Sequence, residues 1–311
     1  MRPHLSREVF APSGARLKLL PFRFTRLDDS RELLVNEVGE YVIAPLGTVR
    51  SLLRRTLRQD TDLYATLRAR HFIHDDASSP LLDVIAAKYR TRRGYLDGFT
   101  QLHIFVTTRR CNHNCVYCQV SRRSPEILRY DMSPDTALRS IDLMLQVPSK
   151  HVTMEFQGGE PLLNFDLLRL MVDTARLKSV RAGKDLQVVV ATNLTLATDD
   201  ILRYLRDQDV FVSTSLDGPA FIHDANRPIA GGSSHQSAVS GIERAQTILG
   251  VDKVAALMTT TRTSLEHPIE IVDEYIRRGF RSIFLRPINP YGDALRNLEI
   301  TRYSTDEFLG F

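Results

Sequence analysis

Residues 102–118 read LHIFVTTRRCNHNCVYC and contain all three cysteines of the chain, Cys111, Cys115 and Cys118. The run LHIFVTT at 102–108 is rich in β-branched and aromatic residues and predicts a β-strand. The sequence therefore predicts a cysteine loop at the end of a strand. Three closely spaced thiols, in a chain whose first 22 residues lack the apolar core of a secretory signal, argue against a disulfide framework and for a metal site.

Two kinds of metal site fit three neighbouring thiols. A structural zinc ion normally takes four ligands, so His113 or His103 would have to complete the set. A four-iron cluster held by three cysteines leaves one iron without a protein ligand, and that iron is free to bind a small molecule. The spacing by itself leaves both sites open.

From about residue 100 onward, short apolar runs alternate with helical patterns. Helices are predicted from about Ser133-Pro134, over 164–178, near 198–207, over 235–249 and from about 267. Six strands are predicted, at 102–108, 152–157, 186–193, 210–217, 254–260 and 282–287. This alternation predicts an α/β fold with a parallel sheet, whose functional loops lie at the carboxyl ends of the strands.

The second predicted strand ends at the segment Gly158-Gly159-Glu160-Pro161. Two glycines permit the backbone to approach a ligand closely, and Glu160 places a carboxylate beside it. Taken alone, the same four residues are equally typical of a turn into a helix that starts at Pro161.

CNHNCVYC at 111–118 resembles the CxxxCxxC loop of the radical S-adenosylmethionine (SAM) superfamily, which prefers an aromatic residue at the position of Tyr117. The resemblance implies a partial (β/α)6 barrel in which Cys111, Cys115 and Cys118 hold a [4Fe-4S] cluster and Tyr117 contacts the bound cofactors. It also implies that SAM, bound by the segment at Gly158, Gly159 and Glu160, is cleaved reductively to methionine and a 5′-deoxyadenosyl radical that abstracts hydrogen from a substrate.

Later segments resemble the subgroup of peptide maturases and sulfatase-maturing enzymes. In SLDGP and IHDANRP the candidates are Ser215, Asp217 and Arg227, and the resemblance places SAM contacts at Ser215; the alternative is a plain turn with Arg227 paired at the surface. Gln157 matches a position on the substrate side. Thr192-Asn193 matches an element whose next residue is glycine in relatives, although this chain has Leu194.

Residues 1–80 predict a small α+β domain, with a hairpin turn at residues 36–39 and a loop at 74–80, and residues 81–100 predict a linker that contains a helix. LLPFRFTRLDD and LLVNEVGEYVIAP resemble a winged-helix domain that binds a leader peptide as an added strand. Together with the barrel at residues 101–311, this resembles the His-Xaa-Ser system radical SAM maturases. Relatives usually continue into a domain with auxiliary-cluster cysteines, so we expect either a fragment truncated at its C-terminus or an enzyme without such clusters.

Composition narrows the function classes. With 43% hydrophobic and 25% charged residues and no apolar run of ~18 residues, the sequence predicts a cytoplasmic globular protein without a membrane span. A net charge of +4 argues against a nucleic-acid partner.

We expect a radical SAM enzyme that modifies a ribosomally made precursor peptide and receives electrons from a carrier such as flavodoxin or ferredoxin. The alternatives are a radical SAM enzyme acting on a sulfatase-type protein, a small molecule or RNA, and an inactive metal-binding fragment.

Overall fold

The computed structural model describes residues 17–74 and 80–311. The chain divides into two compact units, Met1–Asp97 and Gly98–Phe311, and each has its own apolar core. Residues 75–79 of the loop predicted at 74–80 lie outside the described residues, while His74 ends a short strand and Pro80 begins a helix. In the part of the chain that the structure describes, no helix combines the length and the apolar character needed to cross a bilayer.

Among its described residues, the first unit is built from short antiparallel strands and three α-helices. Its elements are β1 (Lys18–Leu19), β2 (Phe22–Arg26), β3 (Arg31–Asn36), β4 (Tyr41–Pro45), α1 (Thr48–Arg54), α2 (Asp62–Ala69), β5 (Ile73–His74) and α3 (Pro80–Arg93). Strands β2, β3 and β4 form one antiparallel sheet, and β1 pairs with β5. Leu34, Leu52, Leu67 and Phe72 are fully buried between this sheet and the helices.

The turn between β3 and β4 is closed by the side chain of Asn36. Its Oδ1 accepts hydrogen bonds from the backbone N–H groups of Val38 (3.2 Å) and Glu40 (3.0 Å). Gly39 has a φ of 83°, which glycine adopts without steric cost. The hairpin turn predicted at these residues is confirmed.

The second unit contains six parallel strands whose order in the sheet is their order in the chain. The strands are β6 (Leu102–Thr108), β7 (His151–Gly158), β8 (Asp185–Thr192), β9 (Val210–Ser215), β10 (Val254–Thr259) and β11 (Phe284–Arg286). The helices are α4 (Pro134–Leu145), α5 (Phe165–Arg181), α6 (Asp199–Asp207), α7 (Ala220–Asn226), α8 (Ser234–Leu249), α9 (Pro268–Arg277), α10 (Leu298–Thr301) and α11 (Thr305–Gly310). Because β6 and β11 do not pair with each other, the sheet is a partial (β/α)6 barrel, which confirms the predicted fold class.

Alternating burial along the strands explains why the sheet forms. In β7, Val152, Met154 and Phe156 are buried beneath the helices, while Glu155 and Gln157 face the barrel interior. Each such apolar side chain contributes roughly 1.5–3 kcal/mol when it leaves water.

The helices begin at local signals, as in α4, where the Ser133 side chain accepts a hydrogen bond from the Thr136 N–H and Pro134 occupies the first turn. Strand β11 is shorter than predicted because it pairs only with the last three residues of β10.

Candidate active site at the carboxyl ends of the strands

All eight residues that the sequence nominated as cluster or SAM contacts line one cavity at the carboxyl ends of the barrel strands. These residues are Cys111, Cys115, Tyr117, Cys118, Gly158, Gly159, Glu160 and Ser215. They come from β7, β9 and two loops, so only the fold brings them together. His113, Gln157, Asn193 and Arg227 line the same cavity.

The cysteine loop is held by four backbone hydrogen bonds from three other segments of the chain. The bonds are Cys111 N–H to Arg123 O (3.0 Å), Asn114 N–H to Pro228 O (2.9 Å), Val116 N–H to Asn226 O (2.9 Å) and Asp293 N–H to Cys118 O (2.8 Å). Asn112 adds side-chain bonds, donating to Thr195 Oγ1 at 2.7 Å and accepting from Asn193 Nδ2 at 2.8 Å. The loop is therefore fixed in position by the barrel and by the residues after α7.

The three thiols are close enough to influence one another but do not converge on a single ion. Burial, with smaller contributions from neighbouring thiols, raises the pKa of Cys111 to about 12 and that of Cys115 to about 11. No three His, Cys, Asp or Glu side chains of residues 17–74 and 80–311 are placed to share one metal ion. A zinc site needs all its ligand atoms at about 2.0–2.3 Å from one point, whereas three thiolates on one loop can hold three irons of a four-iron cluster and leave the fourth iron open.

His113 also argues for a group that fills the cavity. It is buried, lines the cavity wall, and neither ring nitrogen has a hydrogen-bond partner among the described residues. Burial, with the nearby Arg227 charge, lowers the pKa of His113 to about 4, so the ring is neutral at neutral pH. A buried polar group without a partner is costly, and a bound ligand would relieve that cost.

Behind the cysteine loop lies a buried network of Tyr117, Asp217 and Arg227. The Tyr117 hydroxyl donates to Asp217 Oδ2 at 2.5 Å, and the Arg227 guanidinium donates to both Asp217 oxygens at 3.0 and 3.3 Å. Arg227 also lies 5.2 Å from the centre of the Tyr117 ring. Burial alone would raise the pKa of Asp217, but Arg227 outweighs it and the pKa lies below its ordinary value. Arg227 is therefore not a surface residue: it pairs with Asp217 inside the protein and reaches the cavity wall.

The two glycines of the Gly-Gly-Glu segment are required by the neighbouring strand. A Cβ on Gly158 would stand 2.1 Å from the Thr108 carbonyl oxygen, and one on Gly159 would stand 2.0 Å from that of Arg110. Glycine here lets the end of β7 lie directly against the start of the cysteine loop. The sequence suggested that these glycines let the backbone approach a ligand closely. In the structure they also let it approach the protein's own backbone.

Glu160 is fully buried and accepts three hydrogen bonds. The donors are Thr192 Oγ1 (2.7 Å), the Asn193 N–H (2.8 Å) and the Leu162 N–H (3.0 Å). Burial raises the pKa of Glu160, while these donors oppose the rise. The carboxylate is consequently fixed in orientation at the cavity wall.

Leu194 takes the backbone conformation that glycine would favour. Its φ is 61°, in the left-handed region, and its side chain is fully buried. Gly241 in α8 makes the space, since a Cβ there would stand 2.7 Å from the Leu194 Cβ. The turn after β8 therefore keeps its shape without a glycine at position 194.

Sequence reasoning missed several residues that shape the site. Arg110, directly before Cys111, forms a buried ion pair with Asp131 at 2.7 Å and donates to the Pro125 and Leu163 carbonyls. Glu155 and Arg286 also line the cavity. The two-residue alternation in the sequence of β7 places Glu155 on the same face as Gln157, so Glu155 could have been predicted from the sequence. No local sequence pattern indicates the role of Arg110.

These observations define a partial (β/α)6 barrel with a three-cysteine loop at the carboxyl ends of its strands. The family model "Radical SAM superfamily" matches residues 105–275, more than half of the chain. The chain belongs to the radical SAM superfamily, whose members use a [4Fe-4S] cluster and S-adenosylmethionine.

Individual relatives agree with this membership. The cysteine-type anaerobic sulfatase-maturating enzyme of Clostridium perfringens is 29% identical over 215 residues, which cover 64% of this chain and 56% of that protein. The radical SAM cyclopropyl synthase TigE of Paramaledivibacter caminithermalis is 30% identical over 131 residues, covering 38% of this chain and 27% of that protein. The solved structure "Native anSMEcpe with bound AdoMet" resembles this fold with a TM-score of 0.54 at 19% identity, covering 60% of this chain and 51% of that one. The chain spans about half the length of the curated relatives it matches.

Proposed function

We propose that this chain is a cytoplasmic radical SAM enzyme that modifies a ribosomally made peptide. In this proposal Cys111, Cys115 and Cys118 hold the [4Fe-4S] cluster, and SAM lies between the cluster, the Gly158–Glu160 segment and Ser215. The bound cofactors supply a 5′-deoxyadenosyl radical, which abstracts a hydrogen atom from the substrate.

The chain's own residues position these groups and restrict water. Glu160 presents a fixed carboxylate suited to an ammonium group, because the Thr192 and Asn193 donors hold it in one orientation. Ser215 ends β9 at the same cavity and offers a hydroxyl. Tyr117 is buried and Cys115 is half-buried in the cavity wall, and this enclosure restricts the access of water to reactive species.

A peptide substrate is supported by the cavity and by the relatives. The cavity is also lined by Glu155, Gln157 and Arg286. A substrate in the cavity would therefore meet one acidic side chain, one amide and one basic side chain. The sulfatase-maturating relative is named for a protein substrate, and one title of a solved structure with this fold, "Native anSMEcpe with bound AdoMet and Cp18Cys peptide", records a bound peptide.

The first unit offers a second place for peptide recognition. Its sheet has the order β2-β3-β4, so within the described residues β2 and β4 each have one unpaired edge. An extended peptide added to such an edge gains backbone hydrogen bonds and is read by alternate side chains. We propose that this sheet binds the leader of the precursor.

The observation that carries the proposal is the convergence of the three thiols, Glu160 and the interior polar residues on one cavity.

The test is anaerobic reconstitution with iron and sulfide, followed by addition of SAM and dithionite and quantification of 5′-deoxyadenosine. We expect wild type to bind about four irons and to form 5′-deoxyadenosine, and the Cys115→Ala variant to form none. Iron binding without 5′-deoxyadenosine would support the inactive-fragment alternative, and zinc binding without a cluster would contradict the proposal.

A second candidate is maturation of a sulfatase-type protein, favoured by the Clostridium perfringens relative. Mass spectrometry of a sulfatase-derived peptide and of a candidate precursor peptide, each incubated with the reconstituted enzyme and SAM, separates the two. A mass change confined to the sulfatase-derived peptide would favour the second candidate.

A further inference from the structure

An arginine-rich surface adjoins the cysteine loop, and its residues are not among those that line the cavity. We define the arginine surface by Arg109, Arg122, Arg123 and Arg129 together with Tyr130. The guanidinium carbons of three of these arginines lie 5.0–5.4 Å from the centre of the Tyr130 ring. Arg123 and Arg129 are exposed to solvent.

The charge of this surface is not neutralised by its acidic neighbours. Residues 109–131 contain five arginines but only two acidic residues, Glu126 and Asp131. Asp131 is committed to Arg110 in a buried ion pair, and Glu126 accepts a hydrogen bond from Ser124. Residues 101–311 as a whole carry 24 basic and 25 acidic side chains. The excess of arginine over acidic residues at 109–131 is therefore a local positive charge in a nearly neutral stretch of the chain.

The arginine surface is joined directly to the first cysteine. The Arg123 carbonyl accepts the Cys111 N–H at 3.0 Å, and the Arg123 N–H donates to the Arg109 carbonyl at 2.8 Å. Arg109 lies two positions before Cys111 in the chain, a span of at most about 7 Å. A protein seated on this surface would therefore stand one backbone layer from the cysteine loop.

We propose that the arginine surface docks a small acidic protein that carries one electron, of the flavodoxin type. The inference rests on the proposed function, which requires a reductant. The reduced carrier gives up one electron to the iron–sulfur cluster and leaves oxidised by one electron, and the electron is used to break the sulfonium carbon–sulfur bond of SAM. Opposite charges steer such encounters, and the resulting rates fall steeply with ionic strength.

The experiment compares two reductants on the reconstituted full chain. The patch variant is Arg129→Glu, and the control is Arg281→Glu, which makes the same charge change at another exposed arginine. We expect the patch variant to form 5′-deoxyadenosine at least tenfold more slowly with reduced flavodoxin at low salt, and within twofold of wild type with dithionite. The control should match wild type with both reductants.

Binding is measured separately, so that the two proposals fail in different ways. The Kd of flavodoxin should rise about tenfold in the patch variant and lose most of its salt dependence. An unchanged Kd for flavodoxin in the patch variant, or an equal rise of that Kd in the control, would overturn the docking site. A patch variant that loses binding to tRNA but still binds flavodoxin like wild type would overturn it as well. Absence of 5′-deoxyadenosine in wild type with dithionite would instead overturn the proposed function.

Discussion

Replacing Arg227 by methionine should destabilise the barrel unit far more than removal of a surface arginine does. Methionine keeps much of the side-chain length but leaves Asp217, which is fully buried, without its cationic partner. Breaking a buried ion pair in this way typically costs about 3–5 kcal/mol. For a unit of this size that corresponds to a fall in Tm of roughly 6–20 °C.

The same change should loosen the cysteine loop. The segment that carries Arg227 provides the Asn226 and Pro228 carbonyls, which accept the N–H groups of Val116 and Asn114. We therefore expect the Arg227→Met variant to retain less iron after reconstitution than wild type, even at temperatures where it is folded.

Calorimetry and iron analysis test both effects. Arg203→Met is the matched control, because Arg203 pairs with Asp199 and Asp200 on the exposed face of α6 and such pairs contribute only about 0–1 kcal/mol. The double variant Asp217→Asn/Arg227→Met should recover about 1–3 kcal/mol relative to additivity, since no buried charge is left unpaired. A Tm and iron content of Arg227→Met equal to those of the control would refute the reasoning.

Three further changes test other parts of the site. Gly241→Ala should lower the free energy of unfolding in urea by about 1–3 kcal/mol, because the new methyl group meets Leu194; the same substitution made in a Leu194→Gly background should cost much less, and equal costs in both backgrounds would rule out the contact as the cause. Burial lowers the pKa of His223 to about 3, so the unfolded chain takes up that proton first and stability falls as pH drops from about 6.5 toward 3, by up to ~1.4 kcal/mol per pH unit. His223→Gln should flatten this slope in urea titrations at several pH values, whereas His151→Gln, at a side chain 69% exposed, should leave it unchanged; parallel slopes for wild type and His223→Gln would contradict the assignment. Glu160→Gln should bind iron like wild type but bind SAM at least tenfold more weakly in equilibrium dialysis, and an unchanged SAM Kd would show that Glu160 does not contact SAM.

Local patterns predicted much of the barrel correctly. Strand β6 was predicted with its observed limits, and the N-cap at Ser133 and the first helical position at Pro134 are as expected. These features depend on short-range rules, namely two-residue alternation in strands and the satisfaction of the first N–H groups of a helix. The limits of β11 were predicted less well, because they depend on how far its neighbour β10 extends alongside it.

For the site, the sequence by itself determined which residues are available and in what order: three thiols on one loop after a strand, and a carboxylate after two glycines at the end of the next strand. The tertiary structure decided what these residues contact. Tyr117 and Asp217 stand 100 positions apart and share a hydrogen bond, and Leu194 keeps a left-handed backbone only because Gly241 leaves room for it. Such pairs leave no periodic trace in the chain, because packing between distant segments, rather than local backbone preference, brings them into contact.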